Sequence, residues 1–187
     1  MSGLYLIGVV ALWLWLTSLV WKGVKRLRGR VGEHTTAINV FVFMIALFWF
    51  GASFWYSGGQ KYYYDAQVNR LCAVDGGIKV YETVSLPPER FDQYGNVGIH
   101  NKRKMNESDE YYFVTEDEYL RKGNPVMIRT VTQILRRSDR KVLGESIRYG
   151  RGGGDLPGPW HPSTYNCPEI KEAAGKLESS IFRYGVE

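Results

Sequence analysis

No lysine, arginine, aspartate or glutamate occurs in the first 21 residues, and only one acid, Glu33, precedes Lys61. Soluble helices of that length carry a polar face, so this gap excludes an ordinary water-exposed N-terminal region. Cysteine is limited to Cys72 and Cys167, which excludes a disulfide-dense scaffold. Histidine occurs three times, at His34, His100 and His161, with no H-E-x-x-H or C-x-x-C pattern. Neither a metal centre nor a cofactor is therefore expected. What is present is 44% hydrophobic and 23% charged residues over 187, an average that conceals a sharp division along the chain.

Two apolar runs account for that division. Leu4 to Trp21 (LYLIGVVALWLWLTSLVW) has no formal charge, and neither has Ala37 to Tyr56 (AINVFVFMIALFWFGASFWY). Their 18 and 20 residues would rise roughly 27 to 30 Å as helices, enough for a hydrocarbon core. A cleaved signal peptide fits the first run poorly, since no basic residue precedes it and no A-x-A site follows. Trp21, Trp49, Trp55, Tyr56 and Tyr62 to Tyr64 resemble an interfacial aromatic belt. Gly51, Ala52 and Ser53 offer a small-residue patch for close helix packing.

Residues 22–36 connect the runs and hold Lys22, Lys25, Arg26, Arg28 and Arg30 against Glu33. Short loops rich in Lys and Arg stay cytoplasmic, which puts both chain ends on the opposite side. The expected plan is a two-helix transmembrane hairpin over residues 1–56, with spans 4–21 and 37–56, and a periplasmic domain over 57–187. That tail carries 19 basic and 18 acidic residues. The basic excess of the whole chain thus belongs to the short loop, where it would attract lipid headgroups, and nucleic-acid binding is not expected.

The tail reads as an α+β domain with an antiparallel sheet. Ser57 to Cys72 extends the second helix, with a possible break at Ser57, Gly58 and Gly59. Ile78 to Val84 reads as a strand closed by Pro87 and Pro88, and Arg90 to Ser108 as loop. Val126 to Arg137 and Lys141 to Tyr149 form the strongest hairpin pattern, turning through Ser138, Asp139 and Arg140. Gly150 to Pro162 (GRGGGDLPGPWHP) reads as irregular, and Pro168 to Tyr184 as a terminal helix with Ile170, Ala174, Leu177 and Ile181 at helical spacing. Cys72 and Cys167 both fall in the tail, and an oxidising compartment would join them in one disulfide.

Chemistry is sparse. Arg151, Gly152, Gly153, Gly154 and Asp155 would present backbone N–H groups and a counter-charge to an anion, though without a P-loop lysine or dinucleotide fingerprint. Trp160 and His161 in the proline-rich continuation offer an aromatic anchor for a partner. An enzyme would have to use His161 with Asp155 or His100, or Cys167 as a nucleophile. Glu116, Asp117 and Glu118 read as a solvated face, and Asn106 to Ser108 matches a glycosylation sequon.

The stretches CAVDGGIKVYETVSLP (Cys72 to Pro87) and RYGRGGGDLPGPWHPS (Arg148 to Ser163) resemble segments of small uncharacterised bacterial membrane-anchored envelope proteins. That resemblance implies a bacterial inner-membrane location and transfers no catalytic residue. The reading that follows is a membrane-anchored periplasmic interaction or assembly module, or an accessory subunit of an envelope complex, with lipid and an envelope protein as partners. The alternative is an envelope enzyme or small-ligand-binding domain built on the Gly-rich loop and His161.

Overall fold

A computed structural model describes residues 2–31, 36–167 and 170–185, and side chains except at residues 2, 30, 31 and 170–175. The chain divides into two compact units, one of Met1–Gln60 with Asp155–Pro162, the other of Lys61–Gly154 with Ser163–Glu187.

In the first unit, α1 (Ser2–Val31) and α2 (Thr36–Phe54) are each long and apolar enough to cross a membrane. They run antiparallel, as the cross-helix pairs show. The Trp13 indole donates to Ser53 Oγ (3.0 Å), and the Trp49 indole donates to Thr17 Oγ1 (3.1 Å). Both hydroxyls give their own proton to a carbonyl one turn back, Thr17 to Trp13 and Ser53 to Trp49, so each accepts an indole without leaving a group unpaired. In an apolar medium that closure matters, because no water can satisfy a spare donor. Phe50 meets Trp13 edge-on at 6.1 Å. The outer surface of the hairpin is bare: Leu4, Phe43, Phe48 and Phe54 are 79%, 65%, 78% and 66% exposed. Apolar surface this extensive does not face water in a soluble monomer.

The basic connection proves shorter than residues 22–36. Helix α1 continues through Lys22, Lys25, Arg26 and Arg28 to Val31, since Lys and Arg are good helix formers and nothing in that stretch breaks the ladder. At the other end of α2 the helix passes into a π turn, Trp55–Gly59, where Gly58 takes φ 155°, a conformation open to glycine. The break expected at Ser57 to Gly59 is thus present. The segment Asp155–Pro162 belongs to this unit: the Tyr5 hydroxyl donates to the Pro157 carbonyl (2.6 Å), and the Tyr5 and Trp160 rings meet edge-on at 5.5 Å.

The second unit is α+β. Helix α3 (Gln60–Asp75), which enters this unit at Lys61, precedes β1 (Gly77–Val80), β2 (Val84–Leu86), β3 (His100–Asn101), β4 (Tyr111–Arg121), β5 (Val126–Arg136), β6 (Val142–Gly152) and β7 (Thr164–Cys167). Helix α4 (Ile170–Ile181) and β8 (Phe182–Tyr184) follow. The main sheet runs β1-β6-β5-β4-β3 and is antiparallel except for the short β3–β4 pair, while β7 continues the edge that β1 begins on β6. The β5–β6 hairpin expected from the sequence is its centre, with Arg140 at φ 58° in the turn.

Period-two alternation gives this sheet two different faces. Met127, Val131, Ile147 and Tyr149 pack with Val68, Tyr64 and Leu71 of α3. Ile134, on the opposite face, packs with Leu143, Leu177, Ile181 and Phe182. At Gly144 an added Cβ would lie 2.9 Å from the Ile181 side chain, so glycine there admits α4 close to the sheet. The register slips between Ile134 and Leu135, which leaves Leu143 as a bulge residue, fully buried in the α4 core, whose carbonyl accepts from both Tyr81 and Glu82 N–H. Cys72 and Cys167 are joined, with Cα atoms 5.9 Å apart, tying the last turn of α3 to β7.

Several expectations change. Ile78 to Val84 is not one strand: β1 ends at Val80, and β2 begins at Val84 in a separate two-stranded sheet, parallel to β8. The bond from Tyr81 and Glu82 to Leu143 turns the chain out of the first sheet. The terminal helix stops at Ile181 because Phe182 is buried in the core, edge-on to Tyr111 at 5.0 Å, and pulls the chain into β8. Leu177 and Ile181 face that core as their spacing required; the side chains of Ile170 and Ala174, and Pro168 itself, lie outside the described residues. Strand β4 holds the acids Glu116, Asp117 and Glu118, whose charge had masked its β pattern.

Glu178 on α4 carries a conditional cost. Burial pushes its carboxyl above the ordinary glutamate range, and the nearby charge of Asp92 pushes it further. A raised folded value means the native state holds its proton more tightly, so stability falls as pH rises through that value. Glu178→Gln is therefore expected to raise the thermal midpoint at pH 7. The gain should vanish at about pH 3 and below, where the carboxyl is neutral in both states. Melting curves of the two proteins at both pH values check this; an equal or larger gain in acid would contradict the sign.

Candidate functional site

Strand β6 carries the sequence Ile147-Arg148-Tyr149-Gly150-Arg151-Gly152, in which large and small residues alternate from Tyr149 onward. Ile147, Tyr149 and Arg151 face α3, while Arg148, Gly150 and Gly152 face the other way. The stretch expected to be irregular from Gly150 is thus strand through Gly152, because the glycines fall on the side that α3 does not cover. Pairing on both edges, with Val126 to Ile128 of β5 and Thr164 to Asn166 of β7, supplies the backbone bonds.

Arg151 is consequently an interior residue, 3% exposed. Its Nε donates to Asp65 Oδ1 (2.6 Å) and its Nη2 to Asp65 Oδ2 (3.4 Å), while Nη1 serves the Gly153 carbonyl and Ser163 O and Oγ (3.2 and 3.1 Å). Gly153 and Gly154 end the strand with φ 85° and 81°. Gly153 N–H donates to the Ser163 carbonyl (2.9 Å), and Gly154 N–H donates to Asn124 Oδ1 (2.6 Å). An added Cβ at Gly153 would run into that same Asn124 oxygen. The donors expected to form an anion cradle are therefore engaged within the fold, and their role there is to close the turn.

The seven sequence-predicted binding residues separate. Arg151, Gly152, Gly153 and Gly154 belong to the sheet unit, and Asp155, Trp160 and His161 to the helical one, where Trp160 rests on Tyr5. His161 is exposed. His100, half-exposed, places Nδ1 3.1 Å from Asp109 Oδ2. Cys167 is committed to the disulfide and has no thiol to offer as a nucleophile. Among the described residues no group of three or more His, Cys, Asp or Glu is placed to hold a metal ion.

Helix α4 covers only the Gly144 end of its sheet face. Towards the other end lies an open groove of about 400 Å³, lined by Asp117, Val126, Ile128, Thr130, Arg148, Gly150, Arg151, Gly152, Thr164 and Asn166. Its size is that of small-ligand sites in general. The register makes it orderly: Asp117, Thr130 and Arg148 stand opposite one another on three adjacent strands, forming a single polar row. Thr130 Oγ1 donates to Asp117 Oδ1 (2.6 Å). The Arg148 guanidinium has no carboxylate in ion-pair reach among the described residues, and Asp117 Oδ2 receives no donor from them. Gly150 and Gly152 form the floor beside it. An added Cβ at Gly150 would meet Asn166 Oδ1 at 2.9 Å, so these glycines keep the trough open.

On the α3 face the charges are, in contrast, mutually satisfied. The Tyr149 hydroxyl donates to Asp75 Oδ1 (2.6 Å), and Arg129 reaches Asp75 Oδ2 and the Tyr149 oxygen (both 3.2 Å). The Tyr149 bond, aided by Arg129, holds the Asp75 carboxyl below its ordinary value, while desolvation pushes the Tyr149 phenol up. This network locks α3 to the sheet and leaves nothing for a ligand. Sequence reasoning missed the groove because its members come from four strands. The one available signal was the large-small alternation of residues 149–152.

No family model, curated protein or solved structure matches this chain.

Proposed function

We propose that the chain is a bacterial inner-membrane protein whose α1–α2 hairpin anchors a periplasmic α+β domain that works as an interaction or assembly module. The observation that carries this reading is the combination, in one chain, of a bare apolar hairpin with a disulfide-closed sheet unit. Lipid would cover the exposed Leu, Phe and Trp side chains of the hairpin, and an oxidising compartment would maintain the Cys72–Cys167 bridge. The basic C-terminal half of α1, Lys22 to Arg28, sits at the cytoplasmic end by the positive-inside rule. Tyr5, at the other end, holds the tail segment at Pro157 and Trp160, which agrees with an N-terminus on the same side as the tail. Those two rings suit a membrane–water interface.

Two measurements test it. Intact-cell labelling with a membrane-impermeant thiol reagent is expected to modify a cysteine introduced at Ser2 and to spare one introduced at Gly29. Labelling with the opposite preference would invert the topology. Crosslinking in cells, followed by mild-detergent purification, is expected to recover an envelope protein with the whole chain and to lose it when residues 57–187 are deleted. Recovery that survives the deletion would move the interface into the hairpin, as an accessory-subunit role requires.

A further inference from the structure

We infer that the open groove on the sheet is a binding site for a short zwitterionic peptide, with its terminal carboxylate on Arg148 and its amino end on Asp117. The inference goes beyond partner capture by the domain and rests on different residues. Arg148 is half-buried and has no carboxylate in ion-pair reach among the described residues, which leaves its planar fork of donors available to a ligand carboxylate. Three other arginines of this sheet are ion-paired, Arg151 with Asp65, Arg129 with Asp75 and Arg136 with Glu82, and Arg121 is held by the Tyr64 hydroxyl and the Pro125 carbonyl. Asp117 brings the complementary charge, oriented by Thr130 and open at its second oxygen.

The opposite charges at the two ends of the row select the ligand class. Asp117 and Arg148 are two strand separations apart in the same row, about 10 Å between Cα atoms. An extended tripeptide spans about 10 Å from end to end. A simple anion would leave Asp117 opposed to it, so a ligand carrying both charges fits the row better. Between the charges stands Thr130, whose hydroxyl oxygen can accept a peptide N–H, and beyond Arg148 the groove continues to the Thr164 hydroxyl and the Asn166 amide on β7. Val126, Ile128, Gly150 and Gly152 leave room for small apolar side chains.

The test uses the full chain in mild detergent, titrated calorimetrically with trialanine, its C-terminal amide and its N-acetyl form. Trialanine is expected to bind saturably with a dissociation constant near about 1 mM or tighter. The amide and the acetylated peptide should each bind at least about tenfold more weakly, the scale of one charge-assisted hydrogen bond. Arg148→Gln should abolish the preference for acid over amide, and Asp117→Asn the preference for amine over acetyl. Both sites are on the open face, and unchanged circular dichroism will establish that the variants fold. Gly150→Ala, which crowds the trough at Asn166, provides an independent loss of affinity without a charge change. Equal binding of all three peptides by the wild type, or no saturable binding, overturns the assignment and leaves the crosslinking result untouched.

Discussion

Replacing Asp65 with asparagine is expected to destabilise the sheet unit by about 3 kcal/mol, the scale seen when one partner of a buried ion pair is removed. Arg151 gives the reason. Its side chain is 1% exposed, and Asp65 supplies the only carboxylate that it touches among the described residues. Without that charge the guanidinium remains buried with neutral acceptors alone, at Gly153 and Ser163. Arg151→Lys should not restore the stability that removing arginine costs, since one ammonium cannot serve Asp65 and both of the other positions in their planar arrangement. A suitable control is Glu118→Gln: that side chain is 67% exposed and reaches Arg129 only at 3.8 Å, so its cost should stay within about 0.5 kcal/mol. Urea unfolding in detergent, followed by far-ultraviolet dichroism, measures all three. If Asp65→Asn cost no more than the control, the staple would have no energetic role.

The second large effect concerns the disulfide. Cys72→Ser with Cys167→Ser opens a loop with a sequence separation of 95 residues, worth about 4 to 5 kcal/mol in the chain-entropy model. The consequences are local as well as global. Cys167 stands opposite Tyr149 in the β6–β7 pair, and Tyr165 stands opposite Arg151. The bridge and the Asp65–Arg151 pair therefore hold the two ends of α3 to the same strands. Their effects should not add, because once one is gone the helix separates from the sheet at reduced further cost. A double-mutant cycle with Asp65→Asn is expected to show coupling of about 1 kcal/mol or more. Additive effects would mean that the two fasteners act on separately folding parts.

How much of this was legible follows from the kind of pattern each part carries. The apolar runs need no partner to be recognised, because a helix satisfies its own backbone bonds and its composition reports its solvent. The β5–β6 hairpin was legible for a related reason: its turn and its alternation are local in sequence. Strand β4 was not: Glu116, Asp117 and Glu118 are exposed, as their charge suggested, and only the pairing with β5 shows that they stand on a strand. Likewise, the glycines of β6 pointed to a loop until β5 and β7 were seen to pair on both edges. The same residue types acquire opposite meanings once pairing is known: Arg151 changes from an exposed ligand-binding candidate to an interior staple, and Arg148 from an unremarked strand residue to the open charge of a groove.

Composition and local pattern alone establish two helices able to cross a membrane, a basic segment between them, a nearly neutral α+β tail and one pair of cysteines available to each other. Those properties are set by composition and by patterns close along the chain. Only the tertiary structure decided the register that aligns Asp117, Thr130 and Arg148, the face that each glycine of β6 occupies, and the helix that Arg151 fastens. Shifting one strand by a single residue would exchange its two faces. That choice is made by Met127, Ile134, Ile147 and Tyr149 burying themselves against α3 and α4, through packing between segments far apart in the chain that no local pattern encodes.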